Sequence, residues 1–221
     1  MKKDVKKVYL YPLWLRIWHW TNATLYLILI ITGFSMHFSS VQHPFIPFRT
    51  ARIIHNVSGV LLVFMYLDFL INNLFSWNGK YYVIRFKGLL NRIYLQTRYY
   101  LFGIFKGEPH PFESDEKSKF NPLQQLTYVT IMFVFMPILL VSGLMLLFPE
   151  YAPKTIFGVG GLWPVAMTHY TVAYFLTLFT VGHIYLGTTG HTLTSNYKTM
   201  ITGYHIIVHE EPTTEDRKNE K

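Results

Sequence analysis

Apolar and polar positions along this chain fall into long blocks, without the narrow apolar stripe of a soluble helix. Four stretches, Leu13–Phe38, Ile53–Phe75, Leu123–Phe148 and Leu162–Thr189, are nearly free of charge, and each exceeds the ~20 apolar residues that cross a bilayer as a helix. Helices of soluble proteins are not hydrophobic all round over such lengths. The pattern therefore predicts an all-α integral membrane protein, a four-helix bundle running up-down-up-down. A different pattern lies between Gly88 and Gly107. There Leu89, Leu90, Ile93, Tyr94, Leu101, Ile104 and Phe105 follow helical spacing, with Asn91, Arg92, Gln96 and Arg98 largely between them. This predicts an amphipathic helix over about 88–107, lying in the cytoplasmic headgroup plane.

Charge sets the orientation. Of the 20 Lys and Arg residues, five occur up to Arg16, eight in Ser76–Phe120 and four from Lys198 onward, and only Arg49, Arg52 and Lys154 lie in the other two connections. The positive-inside rule then makes both termini and the long middle loop cytoplasmic. The formal charge of +8 is thus a topology signal and not a nucleic-acid footprint. Lys2, Lys3, Lys6 and Lys7 precede the first span, but that span is too long for a signal h-region and is read as a retained helix. The chain has no cysteine, which excludes disulfides, thiolate-bound iron–sulfur clusters and covalent c-type haem.

Histidines bring the candidate chemistry. His169 and His183 lie fourteen residues apart in the fourth stretch. That spacing closes to within about 40° of whole turns over a rise of ~21 Å, so both imidazoles leave one helix face near opposite membrane surfaces. Ionisable groups inside a span are costly and face a bundle interior. They serve either as neutral groups bonded to neighbouring helices or as ligands. With the N-terminus inside, His19 of the first span lies at the depth of His183, and His55 of the second at the depth of His169. Two neutral imidazoles per level, with no thiolate or carboxylate beside them, suit neither structural nor catalytic zinc. They suit a b-type haem between two facing helices. Gly33, fourteen residues after His19, and Gly59, one turn inward of His55, clear bulk for a flat cofactor or a neighbouring helix. Arg16 stands by the inner level and Arg49 or Arg52 by the outer one, placed for haem propionates or for lipid phosphates. His37 and His43, at the outer end of the first span, receive no cofactor role.

In the third stretch Asn121 caps the helix, Pro122 takes its first position, Pro137 is placed to kink its middle and Gly143 thins its outer half. Asn121, Gln124 and Asp68 fall at the level of His183. Asp68 is either a proton-handling group or a spectator there.

RIWHWTNA with a following TG, RIIHNVSG, FNPLQQLTY and THY…VGHIYLG make the chain similar to the four-helix, di-haem cytochrome b subunits of formate dehydrogenases, nickel–iron hydrogenases and thiosulfate reductases, cytochromes of the bacterial b561-like kind. The likeness runs to about Gly203, so residues 1–203 are expected to form the di-haem membrane domain and 204–221 a cytoplasmic tail, disordered from Pro212. It implies two haem b groups, the inner on His19 and His183, the outer on His55 and His169. It also implies a quinone, menaquinone or ubiquinone, against Asn121 and Gln124. Leu123 stands where formate dehydrogenase-type members have glycine, which leaves the quinone pose open. The expected role is electron transfer between the quinone pool and a periplasmic redox subunit, carrying iron–sulfur clusters or multihaem cytochrome c and joined to a catalytic subunit. The rival readings are a stand-alone transmembrane quinol-oxidising reductase and a haem-free anchor or transporter.

Overall fold

Four helices long and apolar enough to cross a membrane form in the computed structural model, which describes residues 3–38, 40, 45–112, 118–190 and 192–210. The first, α1, is Leu13–Phe38, as predicted. The second, α2, is Phe48–Phe75 and begins before the expected Ile53, directly after Pro47 at its N-cap. Arg49 and Arg52 thereby join its first turns, where long stems lift the charge towards the polar boundary. The amphipathic stretch forms helix α3, Leu89–Arg98, continued by a π turn over Tyr99–Gly103 and a short 3-10 turn over Ile104–Lys106. Gly88 (φ 67°) and Gly107 (φ 70°) bound it in left-handed conformations that a side chain would oppose.

The third span, Pro122–Leu147, consists of α4 (Pro122–Thr130), a π turn over Ile131–Phe135 and α5 (Met136–Leu147). Pro137 accounts for the wide turn. It has no N–H for a carbonyl one turn back, and its ring crowds that carbonyl, so the helix opens just ahead of it. The amide of Met136 reaches past Met132 to the Ile131 carbonyl, and Pro137 cannot donate to Met132 either. The Met132 carbonyl is left without a helical donor in the bundle centre, and the Tyr66 hydroxyl of α2 donates to it at 2.9 Å. A strand pair of the outer loop, β2 (Thr155–Ile156) and β3 (Val159–Gly160), leads into the fourth span, α6, Leu162–Gly187.

Consecutive spans pack side by side, α1 on α2 and α5 on α6, and α2 meets α5 across the bundle. Leu15, Trp18, Leu25, Leu62, Tyr66, Phe69, Met136, Leu139, Val172 and Leu176 close the core. Outward faces carry exposed Ile17, Ile31, Phe64, Leu67, Phe133, Val141, Phe175 and Val181, as lipid contact requires. This is a membrane four-helix bundle.

The side carrying both chain ends is more ordered than the sequence suggests. Strand β1 (Lys3–Tyr9) pairs antiparallel with β4 (Tyr204–Glu210), from Lys3 opposite Glu210 to Tyr9 opposite Tyr204. Helix α7 (Ser195–Thr202) precedes β4, and Gly203 turns the chain between them at φ 86°. Residues 204–210 thus form a strand whose backbone β1 satisfies; the rest of the tail, 211–221, lies outside the described residues, and with it the stretch Pro212–Lys221 expected to be disordered. Nearby, Lys119 is buried just ahead of the third span. Its Nζ donates to Asn78 Oδ1 at 2.8 Å and lies over the rings of Tyr11, Tyr81 and Phe120. Asn78 donates in turn to Asn73 Oδ1 at 2.6 Å, which ties the middle loop to α2. Desolvation pushes the Lys119 ammonium down to about 7 and the Tyr11 phenol up to about 12.

Two outcomes follow. Tyr66→Phe leaves a buried carbonyl unpaired and should cost about 1 kcal/mol, within the range for such groups in proteins and in bilayers. A lower thermal midpoint in detergent checks it, and an unchanged midpoint counts against the pairing. Lys119 holds fewer protons folded than unfolded between about pH 7 and its ordinary value near 10.4, so stability should rise with pH across that window. Denaturation at pH 7 to about 9.5, below the Tyr11 transition, should show the rise in the parent and a flatter response in Lys119→Met.

Candidate functional site

Helix α6 carries His169 and His183 on its inward face, and two neighbouring helices bring a partner to each. The His19 and His183 ring centres are 6.2 Å apart, with ring planes inclined at 56°. Those of His55 and His169 are 6.5 Å apart, at 74°. Two imidazoles ligating one metal from opposite sides of a planar ring would have centres roughly 6.2 Å apart, from ~2 Å bonds and ~1.1 Å between ring centre and nitrogen. Both separations fit that geometry. Among the described residues no three His, Cys, Asp or Glu side chains converge on a point, so each pair presents two neutral nitrogen donors. A macrocycle supplying the other four completes such a set.

The outer pair is held by groups that sequence reasoning missed. His55 Nδ1 lies 2.9 Å from Thr32 Oγ1, with the Leu29 carbonyl as a second partner. His169 Nδ1 lies 3.1 Å from Ser142 Oγ and 3.1 Å from the Leu139 carbonyl. A glycine follows each hydroxyl, and at Gly143 it leaves room that the ring needs. A Cβ on Gly33 would touch His55 Cε1 at 3.5 Å, and one on Gly143 would crowd His169 Cε1 at 3.0 Å. A signal for both was present: ILIITG at 28–33 in the first span and ILLVSG at 138–143 in the third.

The inner pair has different surroundings. His19 Nδ1 is buried without a hydrogen-bond partner, and the ring meets Trp20 edge-on at 5.2 Å. Phe179 stacks on His183 at 5.7 Å, and Tyr128 meets it edge-on at 6.2 Å. Arg16 donates from Nη1 to the Ile201 carbonyl, while its Nε is buried and unpartnered. A charged nitrogen left so on the inner side suits an anionic group of a bound cofactor.

At the start of the third span Asn121 and Gln124 form a capping box. Asn121 Oδ1 accepts from the Gln124 amide at 2.8 Å, and Gln124 Oε1 accepts from the Asn121 amide at 3.2 Å. Asn121 Nδ2 donates to the Tyr100 hydroxyl at 2.9 Å, a contact from the interfacial stretch that the sequence did not reveal. Gln124 and Tyr128 share a helix face one turn apart, and Tyr128 reaches His183.

Asp68 stands apart from this group. Tyr66 and Phe69 occupy the inward face of α2, which leaves Asp68 exposed and accepting from Asn72 Nδ2 at 2.9 Å. Among the described contacts none joins it to Asn121 or Gln124. Arg52 is exposed one turn outside His55, and a Cβ on Gly59 would meet nothing within 4 Å, so space is open there. His37 stacks on Tyr170 at 4.4 Å and takes part in neither pair. His43 lies outside the described residues.

Comparison with known proteins gives the family. The family model for prokaryotic cytochrome b561 matches residues 10–203. An Escherichia coli (strain K12) protein named "Putative cytochrome YdhU" is 42% identical over 200 residues, covering 90% of this chain and 75% of that protein. No solved structure matches significantly. The match takes in all four apolar helices and all four paired histidines, and the family implies haem b and electron transport. The chain belongs to the prokaryotic cytochrome b561 family, membrane-bound b-type cytochromes.

Proposed function

We propose that this chain is the electron-transfer subunit of a respiratory complex, linking a quinone pool to a periplasmic redox partner through two bis-histidine b haems. The observation that carries this reading is the pair of imidazole couples, 6.2 and 6.5 Å between ring centres, stacked along one helix. Their fourteen-residue separation on α6 spans ~21 Å, most of the hydrocarbon thickness. His19 and His183 hold the inner group, His55 and His169 the outer one. Each haem b, when bound, supplies a one-electron carrier.

Around them the chain binds, orients and excludes water. Leu25, Leu139, Val172 and Leu176 fill the bundle between the two levels and keep it dry. Arg16 offers an unpartnered Nε to a propionate on the inner side, and Arg52 projects from the outer end of α2 at the boundary where the other haem's propionates would lie. The quinone, menaquinone or ubiquinone, is placed between the inner pair and the start of α4, with the Asn121 and Gln124 amides as donors to its carbonyl. The Tyr128–His183 contact supports that placement. Both chain ends and the middle loop lie on the quinone side, which the basic residues mark as cytoplasmic.

An outer feature favours an external partner over a stand-alone reductase. Phe157 sits fully exposed at the tip of the β2–β3 turn with φ 51°, a backbone region costly for a bulky residue. An aromatic held out in that way adds nothing to the packing of this chain and suits docking of a periplasmic subunit bearing iron–sulfur clusters or c-type haems.

Single substitutions should separate the two groups. His55→Ala or His169→Ala should halve the haem content by losing the outer group, and His19→Ala or His183→Ala should lose the inner one; pyridine haemochrome assays and low-temperature spectra decide it. Full occupancy in His183→Ala would overturn the assignment. For the quinone, Asn121→Asp keeps the helix-capping oxygen but removes the amide donor, and Gln124→Ala removes the second donor. Each should slow quinol-driven reduction of the inner haem at least about tenfold, one lost bond to the bound carbonyl being worth about 1.4 kcal/mol. Parent rates in both, with haem content intact, would move the site elsewhere.

A further inference from the structure

From the repeated arrangement at the outer histidines, we infer that Thr32 and Ser142 are positioning residues that fix the tautomer of His55 and His169 and set the electron density on their ligating nitrogens. The inference rests on the bis-histidine reading above.

Proton counting carries it. The single hydroxyl hydrogen of Thr32 goes to the Ile28 carbonyl one turn back, at 2.7 Å. That of Ser142 goes to the Ile138 carbonyl, at 2.6 Å. Each oxygen faces its histidine with lone pairs only, and the carbonyl beside it, Leu29 or Leu139, is likewise an acceptor. Nδ1 must therefore carry the proton in both rings, which leaves Nε2 with its lone pair free to ligate. The hydroxyl and the preceding carbonyl come from the same helix turn, so they also limit rotation of the ring.

The arrangement occurs twice and belongs to one level. In both cases the sequence is Ile-Leu, two aliphatic residues, a hydroxyl residue and glycine, placed on α1 for the histidine of α2 and on α5 for the histidine of α6. Thr32 and Ser142 are both buried. A back-bonded hydroxyl alone is ordinary in a membrane helix, but two of them aimed at two facing imidazoles are not explained by helix satisfaction. At the inner level His19 Nδ1 has no such acceptor.

Acceptors on Nδ1–H make an imidazole a stronger donor and favour the oxidised metal. Losing them should therefore raise the potential of the outer haem and leave the inner one unchanged.

The test uses the purified full-length holoprotein, with Thr32→Val, Thr32→Ser, Ser142→Ala and Ser142→Thr read by potentiometric titration, haem content and the ferric low-spin resonance of each haem. Thr32→Val and Ser142→Ala should each shift the outer reduction equilibrium about threefold to tenfold towards the reduced form, tenfold being 59 mV for one electron. The outer resonance should move with it, while Thr32→Ser and Ser142→Thr match the parent. Loss of the outer haem in Thr32→Val with retention in Thr32→Ser also supports the assignment. Loss in both marks a packing position and overturns it. So do an unchanged potential and resonance in Thr32→Val and Ser142→Ala, provided His55→Ala removes the outer haem. If His55→Ala keeps both haems, the ligand reading itself fails, and this inference with it.

Discussion

The constraint on which this molecule depends is that a polar group carried into a bilayer must find its partner within the protein. Four imidazoles are carried in. At the outer level each ring turns Nδ1 towards a hydroxyl and a carbonyl, which leaves Nε2 free of those partners. Every span contributes to this: α2 and α6 bring the rings, α1 and α5 bring the acceptors, and Gly143 leaves the room that His169 takes. The two helix pairs are thus functional as well as structural neighbours.

The same constraint shapes the third span, the one without histidine. Pro137 withdraws a donor, the helix widens over Ile131–Phe135, and the Met132 carbonyl is left without a helical partner. Tyr66 supplies the missing donor from α2. A defect in one helix thereby becomes a bond between the two halves of the bundle, in the layer that separates the histidine levels.

On the side of the chain ends the answer is assembly. Lys119 is buried with no carboxylate partner among the described residues, held by Asn78 and by aromatic faces. The β1–β4 pair and α7 close over the start of α1, where the Arg16 guanidinium reaches the Ile201 carbonyl. The capping box of Asn121 and Gln124 and the Tyr100 contact sit on this side. The inner histidines therefore stand beneath a built cover, not beneath a loose loop.

Much of this was legible in the chain alone. Length and hydropathy determined the four spans, because a helix that crosses a bilayer core needs ~20 apolar residues and each stretch supplies them. A fourteen-residue interval determined that His169 and His183 share a face, because helical geometry is local and regular. Depth then matched His19 to His183 and His55 to His169, and the structure brings those rings to bis-ligand separation. Tertiary structure decided what depends on rotation about a helix axis and on residues far apart in sequence. Depth sets Asp68 level with Asn121, but its exposure on α2, where Tyr66 and Phe69 take the buried positions, depends on rotation about the helix axis. The β1–β4 pair joins residues about two hundred positions apart and has no local signal. The repeated motif around Thr32 and Ser142 can be seen in the sequence, but only the neighbouring helix shows that their oxygens meet an imidazole.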